Sequence, residues 1–224
     1  MKITCSVTRG KETESTHEVC AVALNEDGKI ILSTGDPYYT TCIRSALKPF
    51  QASAAILAGA TKNAGFNSEE IALMCASHNG EEIHVQKAMG MAKKLGLKAR
   101  HYECGSHAPH DKSTREEARK LNKIFTPFHN NCSGKHSGML ALARKLKVDP
   151  VGYIKIDHPV QQTIFKQLKR LTGQNHFPKG IDGCSVPTPF LSLHSIAGLF
   201  QKLGSGKYPE LTEAYMAMSK HPYL

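Results

Sequence analysis

The chain has 224 residues, 40% of them hydrophobic and 21% charged, with a formal charge of +10. That composition excludes a disordered or low-complexity protein and is ample for a buried core. The positive charge is spread along helical patterns, aromatics are only 7% and Trp is absent, so no nucleic-acid partner is expected.

In chain order, the N-terminal MKITCSVTRGKETES lacks the apolar stretch of a signal peptide, and no apolar run reaches the ~18 residues of a membrane span. A cytoplasmic protein without membrane contact is therefore expected. EVCAVALN and KIILSTG flank a turn at Asp27 and Gly28 and predict a hairpin. Residues 43–58 read as an apolar helix, with a later start near Lys48 as the alternative because Pro49 is best tolerated in a first turn. A second helix opens at NSEEIALMC with Asn67 or Ser68 as cap, and a third runs from Glu81 or Glu82 to Leu95 with Gly96 as its stop. Helical periodicity continues over 114–124, 137–147, 159–172, 190–203 and 209–220. The whole reads as a single helix-rich α+β domain over 1–224 with one sheet. Seven cysteines at irregular spacing are not a disulfide framework, and Cys20, Cys42 and Cys75 are expected as buried thiols.

Chemistry concentrates in the connectors and helix starts. In RSALKPFQA (44–52), Ser45 and Lys48 lie one helical turn apart. A serine is a nucleophile only once a base takes its proton, and lysine can be that base if burial lowers its pKa. About one S-x-x-K arises by chance in such a chain, so for this pair taken alone a cap and a solvated lysine are the preferred reading. In MCASHNGEE (74–82), Ser77 offers a second hydroxyl for a proton relay, or simply a helix end before a glycine turn. HNNCSGKHSGML (129–140) crowds donors before a helix. Its spacing drafts His129, Cys132 and His136 as zinc ligands, against a plain turn with Ser133 or Ser137 as N-cap. IDGCSVPTP (181–189) places Asp182 and Cys184 on a rigid turn.

Together and in this order, RSALKPFQA, CASHNGE, CGSHAP, HNNCSGKHSGML and DGCSVPTPF resemble the rhizobial-type (thermolabile) L-asparaginases, the asparaginase II family, from about Glu18 onward. The resemblance implies a fold similar to serine β-lactamases and β-lactamase-like glutaminases, and hydrolysis of the side-chain amide of L-asparagine. It implies Ser45 as nucleophile, Lys48 as its base and Ser77 as the second serine. Asp182 and His136, with Arg44, would hold the substrate. Zinc would be bound by Cys132, Lys135 and Cys184, which replaces the ligand set drafted from spacing. A dication favours loss of the lysine proton, so an amine ligand is chemically reasonable. A homodimer is implied as well. Because relatives continue past HPYL, the resemblance also leads to the expectation of a fold lacking its C-terminal part, including a family lysine. Two alternatives stay open: a glutaminase or other serine amidohydrolase on this scaffold, and an inactive truncated zinc-binding relative.

Overall fold

The computed structural model describes residues 3–224. Its centre is three helices whose backbones are buried almost all round: α1 (Lys48–Leu57), α3 (Ser68–Cys75) and α6 (Ser133–Leu146). Such helices lack the polar stripe of a surface helix because other elements cover every face. In α1 every residue from Lys48 to Ala55 is buried, and in α6 every residue from Ser133 to Ala143. Around them pack α2 (Ala60–Ala64), α4 (Glu82–Lys94), α7 (Pro159–Thr172) and α9 (Pro209–Lys220). The short α5 (Lys112–Lys120) buries only Ala118, and α8 (Leu193–Gly204) packs on α9 and α7.

Glycine decides how closely the central helices approach. A Cβ on Gly134 would lie 2.2 Å from the Leu73 carbonyl oxygen, so α6 passes α3 nearly backbone to backbone. That contact carries the end of α3, and Ser77 just beyond it, to the start of α6. One apolar cluster, with Leu73, Met74, Met91, Leu140 and Leu142, fills the space between these helices. Fully burying a side chain such as Leu73 or Leu142 contributes about 1.5–3 kcal/mol. A second cluster joins Phe50, Phe165, Leu171, Phe177, Leu191 and Leu199 between α1, α7 and α8.

Among the described residues the β structure falls into three small antiparallel sheets rather than the single sheet expected. β1 (Ile3–Arg9) pairs β2 (Glu12–Val19), and β3 (Ala21–Leu24) pairs β4 (Ile30–Thr34) across the Asp27–Gly28 turn, as predicted. β5 (Thr40–Cys42) and β6 (Lys179–Ile181) flank β7 (Pro187–Ser192). The first three residues of the helix expected over 190–203 belong to β7, whose Phe190 pairs Cys42. The architecture is mixed α and β with helices in the majority, α+β in class. Among the described residues no helix is long and apolar enough to cross a membrane.

Local chemistry accounts for most helix starts. Asn67 caps α3 through a reciprocal capping box with Glu70, at 3.0 Å and 2.8 Å. Proline opens α7 and α9 in the first turn, where its missing N–H costs nothing. Two expectations are corrected. α6 begins four residues before the predicted 137, with Cys132 rather than Ser133 or Ser137 at the N-cap position. Cys20 is exposed and Cys42 half-buried; only Cys75 of those three is a buried thiol.

Candidate active site

Four chain segments meet at the N-terminal ends of α1 and α6. Lys48 is the first residue of α1, yet only 1% of it is exposed. Its Nζ donates to the Ala76 carbonyl at 2.6 Å, to Ser77 Oγ at 2.6 Å and to the Asn131 carbonyl at 3.3 Å. Burial lowers the Lys48 pKa, Cys132 opposes that shift, and the neighbouring Lys135 adds to it. A buried amine with depressed basicity, touching a hydroxyl, is the element a serine hydrolase needs.

The two serines differ. Ser77 is exposed and bonded to Lys48. It follows Ala76, which ends α3 in extended conformation, and the turn beyond is closed by Gly80 at φ +77°. A Cβ on Gly80 would meet His129 O and Pro109 Cα at 3.1 Å, so the loop needs glycine twice over. Ser45 is exposed in the 3-10 turn Arg44–Leu47 and its hydroxyl makes no hydrogen bond among the described residues. The helix expected from residue 43 begins only at Lys48, so the predicted shared face becomes a turn feeding a helix.

Arg44 adopts φ +50°, left-handed backbone that an arginine occupies only where its surroundings hold it. Its Nη2 lies 3.2 Å from Asp182 Oδ1, which bridges the turn before α1 to the turn between β6 and β7. Asp182 Oδ1 also accepts the Gly183 N–H at 2.8 Å, and Ser185 at φ +70° tightens the same turn.

Behind these groups lies a buried cluster of two thiols and an amine. Lys135 Nζ is 2.8 Å from Cys184 Sγ, across 49 residues of sequence. The Cys184 thiol hydrogen-bonds Cys132, and with burial this pushes the Cys184 pKa up. The same bond, helped by Lys135 and Lys48 against burial, brings Cys132 down to about 6. Two sulfurs and an amine thus lie together in the interior. Two soft sulfurs and a nitrogen fit a zinc-type ion by donor chemistry. Among the described residues no group of three or more His, Cys, Asp or Glu side chains could hold a metal. This corrects the His129, Cys132, His136 set drafted from spacing: His129 Nδ1 is engaged by Thr126 N–H at 3.0 Å in its own turn. The nitrogen beside the two sulfurs is instead the Lys135 amine. His136 has no exposed surface, and burial brings its pKa down to about 4.

The family model described as L-asparaginase II matches residues 5–224. The chain belongs to the L-asparaginase II family. No curated protein matches it.

Read as an L-asparaginase II family member, the chain also holds residues that motif reasoning passed over. His78 accepts the Gly80 N–H on Nδ1 at 3.1 Å, which leaves Nε2–H to donate to Ser133 Oγ at 2.8 Å. That bond ties the Ser77 loop to the first turn of α6. His107 accepts the Asn131 N–H at 3.1 Å and so fixes the peptide beside Lys48. Tyr153, buried behind His136, sits in a connector without any motif signal. His78 and His107 were visible as residues of CASHNGE and CGSHAP, but their partners were not.

Proposed function

We propose that this protein is an L-asparaginase, hydrolysing the side-chain amide of L-asparagine to L-aspartate and ammonia through a serine acyl-enzyme. The observation that carries the reading is Lys48: a buried amine of lowered pKa, 2.6 Å from the Ser77 hydroxyl and one turn from Ser45, in a chain of this family. The mixed α and β scaffold, with Ser-x-x-Lys at a helix start, supports a serine hydrolase fold of the β-lactamase and glutaminase kind.

In this reading neutral Lys48 takes the Ser45 proton as Oγ attacks the amide carbon. The tetrahedral oxyanion collapses to an aspartyl ester, and ammonia leaves with a proton relayed through Ser77. Water then attacks the ester, Lys48 accepts its proton, and Ser45 regains its hydrogen as aspartate departs. Asp182 and Arg44, both at the mouth of the site, offer one charge of each sign to the amino and carboxylate groups of the substrate. Cys132, Lys135 and Cys184 would hold zinc, which supplies a fixed positive charge tying the α6 turn to the Asp182–Cys184 turn.

A second reading exchanges the serines, because Ser77 is the hydroxyl that Lys48 touches. Ammonia release from L-asparagine by wild type, Ser45→Ala and Ser77→Ala tests both. Acid-quenched peptide mapping shows which serine carries the aspartyl group. Release unchanged in both variants refutes a serine acyl-enzyme, and preferred turnover of L-glutamine makes the protein a glutaminase.

A further inference from the structure

The His136 imidazole is completely buried, yet only one of its nitrogens has a hydrogen-bond partner. Nδ1 lies 2.6 Å from the Tyr153 hydroxyl, and Tyr153 is itself 0% exposed. The same hydroxyl accepts the Glu103 backbone N–H at 2.9 Å. A phenol has one hydrogen to give. With one lone pair taken by Glu103, that hydrogen points to the acceptor in reach, His136 Nδ1. The ring is then neutral with its own hydrogen on Nε2, whichever groups surround it.

Nε2 is the nitrogen without a partner. Among the side chains acting on the ring, Cys184 is the strongest. Cys184 Sγ also receives Lys135 Nζ at 2.8 Å, from the residue next to His136 on α6. We propose that His136 is a positioning residue for Cys184: its Nε2–H, in a tautomer fixed by Tyr153, donates to the Cys184 sulfur and holds it as a metal ligand. The inference rests on the zinc reading above and adds a supporting shell to it.

This role differs from two others the residue type permits. A protonated Nε2 has no lone pair, so His136 is not itself a ligand. A side chain with no exposed surface, hydrogen-bonded to Tyr153 through its other nitrogen, takes this role in place of the substrate contact implied by the family resemblance. Donors that orient metal ligands are commonly worth 10- to 100-fold in metal affinity. Fixing the tautomer makes Tyr153 part of the device at one remove.

The test is the zinc dissociation constant of the full chain, measured by competition with a chromogenic chelator for wild type, His136→Leu, His136→Gln and Tyr153→Phe. The melting temperature of each zinc-free form is recorded alongside. His136→Leu and Tyr153→Phe should weaken zinc about 10- to 100-fold. His136→Gln, whose amide N–H reaches about as far as Nε2–H, should recover most of that loss. If Gln binds zinc as poorly as Leu, His136 is a ligand and the inference fails. If all variants bind zinc like wild type while their zinc-free melting temperatures drop, the Tyr153–His136 pair is structural only, and the inference fails. Wild type that binds no zinc overturns the metal reading itself, an outcome distinct from both.

Discussion

Lys48 Nζ lies 2.6 Å from Ser77 Oγ, although 29 residues and the whole of α3 separate them in sequence. The contact exists because α1 starts where α3 ends, and both are buried against α6. Removing the amine while keeping its packing isolates the base function. Lys48→Met should reduce ammonia release from L-asparagine by about 10²–10⁴-fold, the usual range for general-base loss. A reduction below about tenfold would place the proton acceptor elsewhere.

Gly134 controls that same junction from the α6 side. Its missing Cβ leaves room for the Leu73 carbonyl, a backbone group that cannot rotate away. Gly134→Ala should therefore cost about 3 kcal/mol or more. At about 2–4 °C per kcal/mol for a chain of this size, the melting temperature should fall by at least about 6–12 °C. Gly138→Ala is the control: it meets only the flexible end of Met74, and Met74 can change rotamer. Equal losses in the two variants would show that helix propensity, not close approach, governs the α3–α6 contact.

Legibility in the sequence followed burial pattern. α7 and α9 stand where periodicity placed them, at Pro159–Thr172 and Pro209–Lys220, because each combines a first-turn proline with an apolar stripe. The β1–β2 hairpin carried no such signal. β1 does alternate Ile3, Cys5 and Val7 with polar residues, but β2 is polar from Glu12 to Glu18, and with both strands largely exposed no matching apolar set on β2 marked the pairing. The start of α6 was hidden for the opposite reason: Ser133, Lys135 and His136 are polar residues that are buried, so the apolar period begins only after them. Within the site, Ser45 and Lys48 were visible as a spacing, but the partner of Lys48 was not, since it arrives from another helix. Lys135 and Cys184 meet across 49 residues. Only the family resemblance, not spacing, brought those two together.

Two buried histidines make the fold sensitive to acid. Burial lowers the pKa of His78 to about 3 and that of His136 to about 4, from an ordinary value of 6.5. The unfolded chain binds protons on both as pH drops below 6.5, whereas the folded chain does not until about 3 to 4. Stability contributed by the neutral rings is thus full above that ordinary value and declines through the window beneath it. The slope approaches about 1.4 kcal/mol per pH unit for each histidine. Urea unfolding between about pH 7.5 and about pH 4.5 should show the decline, and His78→Gln should remove roughly half of it. A flat profile over that range would mean that both rings gain a proton in the folded state as readily as in the unfolded chain.

Arg44 and Asp182 join the turn before α1 to the turn before β7 through a contact of 3.2 Å, with the arginine side chain mostly in solvent. An ion pair so exposed adds only about 0–1 kcal/mol to folding. Its value would then lie in presenting two charges to a zwitterionic substrate. Arg44→Ala keeps a Cβ, so the left-handed strain at φ +50° is the same in both proteins and does not confound the comparison. The variant should raise KM for L-asparagine about tenfold with kcat within about threefold, the pattern of lost uniform binding. Its melting temperature should stay within about 2 °C of wild type. Asp182→Asn retains an oxygen for the Gly183 N–H at 2.8 Å and so preserves the turn, while removing the charge that the substrate amino group would meet. It should raise KM too, and the double variant should show less than the sum of the two effects, because the residues share a partner in each other. A lowered melting temperature with unchanged KM would make the pair a clamp between turns, with no part in binding.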